Sequence, residues 1–200
     1  MKQKLHFLVA LAVMAIAFTP TASADLALTL TTGLGATASG VACTAGICYN
    51  GAVGDWTINV STGLEGFVYA LDLNSVDASG TGTDSLTLDL TTTDNKAIGS
   101  VDWGIGGTIS SGMSLTYRIL VNGSPVTTAT FVPDSFSGHG SGCCKALNDT
   151  LTQEVVLTRT GKSSASFDAH VDVVPDGGVT LMLLGGVLVG LETLRRRLRA

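Results

Sequence analysis

MSLTYRILVNGSPVTTATFV, residues 113–132, is the stretch whose reading decides the fold class. Met113, Leu115, Tyr117, Ile119 and Val121 alternate with Ser114, Thr116, Arg118 and Leu120. A side-chain period of two turns the first five to one face, as in a strand with one side on a core. Asn122-Gly123 follows at once, and this pair tolerates the positive φ angles of a tight hairpin turn. After Pro125, residues 126–132 supply the expected return strand.

The same alternation recurs on either side of the hairpin. Leu26, Leu28 and Leu30 alternate with small or polar neighbours, and Trp56, Ile58 and Val60 share a face. So do Phe67, Tyr69, Leu71 and Leu73, then Leu86, Leu88 and Leu90. Residues 151–158 and 165–173 give two last strands, with Phe167, Ala169, Val171 and Val173 facing inward and a Gly161 turn between them. About eight short strands with one apolar face, separated by Gly, Asn and Asp, imply two antiparallel sheets packed face to face. The fold expected for residues 25–173 is therefore an all-β antiparallel sandwich, jelly-roll-like. A barrel would satisfy the same alternation, and strand order is not readable from it.

Both ends of the chain read differently from this body. Residues 1–24 have the order of a secretory signal peptide: Lys2 and Lys4, an apolar run to Phe18, then Ala22-Ser23-Ala24, so signal peptidase is expected to cut after Ala24. At the other end Val174-Pro175-Asp176-Gly177-Gly178 breaks regular structure. Residues 179–194 follow with Glu192 as their one charge, and then Arg195, Arg196, Arg197 and Arg199. As a single transmembrane helix residues 179–194 would span about 24 Å, short of the ~30 Å hydrocarbon core but within the reach of snorkelling arginines and local thinning. The arginines of the tail, residues 195–200, act as a stop-transfer signal and stay in the cytoplasm, leaving the body outside.

That order of hinge, short apolar helix and arginine cluster resembles the PEP-CTERM class of sorting signals, most closely the VPDSG-CTERM variant. Val174, Pro175, Asp176 and Gly178 match that variant, and Gly177 stands where serine is usual. The resemblance implies that residues 174–178 are a substrate motif for exosortase, a membrane cysteine protease-like enzyme. It further implies passage through the export translocon, inner-membrane anchoring, and sorting to the surface or extracellular matrix of a Gram-negative-type bacterium, with extracellular polysaccharide as a companion. The pentapeptide of sortase substrates is absent, and a chain ending in arginines is not a GPI signal. The body also looks like the β-rich domains common ahead of such signals, on residues 55–60 and 71–75, a likeness that implies no defined activity.

Charge and cysteines bound the remaining chemistry. The whole chain carries a net charge of −5, yet residues 25–174 hold five basic residues against fourteen acidic ones. An acidic body has no footprint for nucleic acid. Four cysteines, Cys43, Cys48, Cys143 and Cys144, are disulfide candidates in an exported chain, pairing either locally or across the sequence. A zinc site joining them to His139 lacks the usual ligand spacing, so no metal or other cofactor is expected.

Candidate sites elsewhere have plainer readings. Gly161-Lys162-Ser163 ends like a phosphate loop, but the earlier glycine is Val156. Gly138-His139-Gly140-Ser141-Gly142 is not a nucleophile elbow and reads as an exposed loop. Asp72, Asn74, Asp77 and Asp84 do not fit an EF-hand, though a calcium site between sandwich loops is compatible with them. Asp168, His170 and Asp172 read as a solvated strand edge. Trp56 reads as core, and glycine-flanked Trp103 as core or rim, or as a sugar platform on a loop. Loop acids such as Asp102 or Asp134 have only fold analogy behind a hydrolase reading. The expected function is thus a non-catalytic exported surface or matrix protein. The alternative is a carbohydrate- or calcium-binding sandwich module.

Overall fold

The computed structural model describes residues 25–44, 46–63, 70–93, 98–146, 150–174 and Gly185. The described strands are β1 (Asp25–Thr32), β2 (Thr37–Ser39), β3 (Val41–Cys43), β4 (Gly46–Val53), β5 (Trp56–Gly63), β6 (Ala70–Gly80), β7 (Thr83–Thr93), β8 (Ile98–Ile109), β9 (Met113–Val121), β10 (Ser124–Phe131), β11 (Asp134–Ala146), β12 (Thr150–Thr160) and β13 (Ser163–Val174). They form two antiparallel sheets, a six-stranded one in the order β10-β9-β12-β7-β1-β2 and a seven-stranded one in the order β11-β8-β13-β6-β5-β4-β3. The fold is an all-β two-sheet sandwich.

The β9–β10 hairpin, at one edge of the six-stranded sheet, forms as its sequence demands. Every odd residue of β9 is buried, and Asn122 (φ 52°) and Gly123 (φ 74°) make the turn. The return strand begins earlier than expected, at Ser124, because Pro125 is carried on an edge strand with a register shift between Pro125 and Thr127. An edge tolerates the missing N–H that an interior ladder would not.

Between the sheets, cross-strand rows stack the alternating residues. Leu30, Leu88, Val155 and Tyr117 form one row in register across β1, β7, β12 and β9. Opposite them stand Trp56, Ile58, Leu71, Leu73, Phe167, Val171 and their neighbours, all buried. Each such side chain stabilises the fold by roughly 1.5–3 kcal/mol relative to exposure. Polar side chains are buried as well, Gln153 and Arg159 the largest of them. The Gln153 side-chain amide donates to the Tyr117 hydroxyl at 3.0 Å, and burial raises the Tyr117 hydroxyl above its ordinary range. The Arg159 guanidinium lies 4.3 Å over the Trp56 ring.

Several expectations change on contact with this architecture. Residues 138–142 are not a loop but part of β11, because Gly138 and Gly140 leave room on the inner side for Phe131 and Trp103. Asp72, Asn74 and Asp77 lie on β6 rather than in loops, and Asp84 belongs to the other sheet. Strand β13, which carries Asp168, His170 and Asp172, is interior to its sheet rather than an edge. Val174 is the last residue of β13 and pairs with Ser100.

Other expectations fall outside the described residues. These are the signal segment with Ala22 and Ala24, Phe67 and Tyr69, Pro175, Asp176, Gly177 and Gly178, and Arg195, Arg196, Arg197 and Arg199. Of residues 179–194 only Gly185 is described, and it is helical. Among the described residues no helix is long and apolar enough to cross a membrane.

Candidate functional site

The outer face of the seven-stranded sheet carries an open groove of about 490 Å³. Its floor is set by strand register. Asn50, Asn59, Asp77, Ser166, Thr108 and Ser135 follow one another directly across β4, β5, β6, β13, β8 and β11. Thr57, Ser79 and Ser164 make a parallel row one step away. All of these side chains are exposed, since they are the out-facing partners of buried Ile58, Ala78, Ala165 and Ile109. The longer row covers five inter-strand steps, about 24 Å at ~4.8 Å each. Ser110 closes one end, its hydroxyl accepting from the Ser164 N–H at 2.7 Å.

Most of the lining side chains are hydroxyls and carboxamides that both donate and accept, with Asp77 and Asp134 as the carboxylates and Ile58, Ala78, Ile109 and Ala165 as the apolar members. Among the described residues it holds no aromatic side chain. Asp134, with φ 133°, opens β11 and accepts from the Ser135 N–H at 2.9 Å.

Residues singled out from sequence fall mostly elsewhere. Trp103 is on β8, 9% exposed, and lies against the backbone of Gly138 and Gly140, so it presents no platform to a sugar. Trp56 is fully buried, and its indole N–H donates to Asp84 at 3.1 Å. That bond takes Asp84 out of any shared site with Asp72 or Asp77, which are on the opposite sheet. Of the calcium candidates Asp77 alone reaches the groove. Asp102 is exposed on β8, outside the groove lining.

Cys43 and Cys48 form a disulfide across the β3–β4 hairpin, the local pairing. That bond removes both from a zinc set. His139 and Cys143 cannot complete one, because four residues along a strand span about 13 Å. The Cys143 and Cys144 side chains lie outside the described residues. No group of three or more His, Cys, Asp or Glu side chains converges among the described residues.

The groove itself was missed because its members stand far apart in sequence, on six strands. The available signal was the small polar identity of the out-facing positions at 57, 59, 77, 79, 164 and 166.

No protein-family model matches the sequence, and no curated protein matches it either. Among solved structures, the carbohydrate-binding module TmCBM61 in complex with β-1,4-galactotriose is similar over 62% of this chain and 92% of its own, at 12% identity and a TM-score of 0.38. The adhesin domain of Epf from Streptococcus pyogenes is similar over 78% of this chain and 61% of its own, at 12% identity and a TM-score of 0.47. A module CBM36 in complex with calcium and xylotriose covers 57% of this chain and 96% of its own, at 16% identity and a TM-score of 0.31. These are likenesses of β-sandwich architecture, and no residue or ligand is carried over from them.

Proposed function

We propose that this chain is an exported surface protein whose sandwich binds carbohydrate without transforming it. The observation that carries the reading is the polar groove on the seven-stranded sheet. A row of hydroxyls, carboxamides and one carboxylate along about 24 Å suits a ligand that is itself a chain of hydroxyls. Binding is favoured over hydrolysis by distance. The two carboxylates of glycosidases stand roughly 5–9.5 Å apart, whereas Asp77 and Asp134 are three strands apart, about 14 Å at the usual spacing.

Delivery is assigned to the terminal segments on sequence grounds. Residues 1–24 export the chain, residues 179–194 hold it in the inner membrane, and exosortase acts at residues 174–178. The Cys43–Cys48 disulfide is consistent with an oxidising compartment.

The binding test is a glycan array with the purified full-length protein, followed by titration of the best ligand. Asp77→Ala and Asn59→Ala are expected to weaken binding by about tenfold each, the worth of one well-made hydrogen bond to a charged or amide group. Absence of any glycan response, or a response indifferent to both variants, overturns the reading. Processing is tested separately by the mass of the mature protein in a host that carries exosortase, where an intact tail refutes cleavage and leaves anchoring standing.

A further inference from the structure

A second group of side chains meets on the same outer face, away from the groove, and only strand register brings it together. His139 on β11 and His170 on β13 both pair with Gly104 on β8, from opposite sides. Both imidazoles are exposed. Gly104 has no side chain to separate them, and the His170 ring lies across it. A Cβ at Gly104 would stand 2.5 Å from Cε1 and 2.9 Å from Nε2 of that ring. One step along the strands, Asp102 and Asp172 face each other directly. Like charges in that position repel. Among the cations whose side chains are described, Arg118 is on the other sheet with Glu154, Arg159 is buried, and Lys162 is in the β12–β13 turn.

We propose that His139 and His170 form a two-imidazole site for a borderline divalent transition ion of the zinc, nickel or copper class. Their backbones are two inter-strand steps apart, roughly 9.6 Å. Two nitrogens on one tetrahedral zinc, each at ~2.05 Å, stand about 3.3 Å apart. Holding one ion therefore requires each ring to lean about 3 Å toward Gly104, and the His170 ring already lies there. Asp102 and Asp172 contribute by their negative potential, and the ion relieves their repulsion. Imidazole nitrogen selects this class of metal over calcium, which takes six to eight oxygens. With two protein ligands, the remaining coordination positions belong to water or to an arriving donor. The site does not rest on the carbohydrate reading: along β13, His170 is about 13 Å from Ser166 of the groove.

The test is isothermal titration of zinc chloride into the purified full-length protein at about pH 7.5, beside His139→Ala, His170→Ala and the double variant. Each single change is expected to weaken the site by about tenfold or more, and the double change to abolish it. Asp102→Asn should cost about two- to threefold. Because both rings are exposed, thermal unfolding without zinc should be unchanged in the three histidine variants, which separates lost ligands from lost structure. Zinc binding that the double variant retains in full would locate the ion at the thiols of Cys143 and Cys144 or at His6, and would overturn the proposal. So would no binding by the parent protein.

Discussion

Asp89→Asn is expected to make the protein more stable at neutral pH and no more stable in acid. On the outer face of the six-stranded sheet Asp89, Glu154 and Arg118 form a row in register, and Arg118 is joined to Glu154 at 2.6 Å. Partial burial, and secondarily the Glu154 charge, push the Asp89 carboxyl from its ordinary 3.8 up to about 6. The folded chain therefore holds a proton that the unfolded chain releases. Stability falls as pH rises from about 4 to about 6, and the whole penalty is present above that window. A shift of this size corresponds to roughly 3 kcal/mol for a dry site. Asp89 is only half-buried, and solvent screening leaves about 1–1.5 kcal/mol. Asparagine keeps the shape and removes the charge. Urea unfolding of parent and variant at about pH 3.5, 5, 6 and 7.5 should show a gain near 1 kcal/mol at the highest pH, vanishing at the lowest. A gain equal at every pH would mean that packing, not ionisation, is responsible. A loss at neutral pH would mean that the ionised carboxyl is stabilised by its surroundings, contrary to the argument.

Two further substitutions probe the interior. Arg159 is fully buried, and its guanidinium nitrogens have no hydrogen-bond partner among the described residues. Arg159→Met keeps contact with the Trp56 ring and removes the desolvated charge, so urea midpoints should show it equal to the parent or up to about 1–2 kcal/mol more stable. Arg159→Ala leaves a cavity instead and should cost about 2–4 kcal/mol. Gly107→Ala would set a Cβ against the Ser166 carbonyl oxygen and 2.6 Å from Phe167 Cβ on the adjoining strand. It should cost at least about 2 kcal/mol by the same assay. Gly106→Ala, whose nearest neighbour would be at 3.6 Å, should lie within about 0.5 kcal/mol of the parent.

What could be read from the sequence follows from how many residues a signal needs. Period-two alternation is local, so β9, β7, β12 and β13 were legible from runs such as Leu86-Thr87-Leu88 and Phe167-Asp168-Ala169. Strands β8 and β11 were not, because glycine replaces the apolar or polar partner at Gly104, Gly106, Gly107, Gly138 and Gly140. In a strand such glycines admit the close approach of a neighbour rather than mark a loop. Here the neighbours are His170, Phe167, Phe131 and Trp103. The same substitution hid Trp103, whose glycine flanks suggested an exposed loop while its ring is covered by β11. Neighbourhood across strands was beyond reach altogether: alternation says that Asp77 and Ser166 face outward, but only register makes them adjacent.

Register also decides what the molecule's paired carboxylates can do. Asp89 and Glu154 are directly opposed, as are Asp102 and Asp172, and neighbours of this kind fall near the ~5–5.5 Å at which retaining glycosidases hold their two acids. Proximity alone does not make either pair catalytic. Glu154 is engaged by Arg118, and neither pair lines the groove. Asp172 is about 20 Å along β13 from Ser166, too far to act on a ligand lying across that floor. The carboxylates that do line the groove are the widely separated Asp77 and Asp134. With Asp102, Asp168 and Asp172 exposed on the same sheet, this face repels anionic polymers. On the proposed binding role, a neutral glycan held by hydrogen bonds would satisfy both the spacing of the acids and their charge, where an acidic polysaccharide or a hydrolytic substrate would satisfy only one.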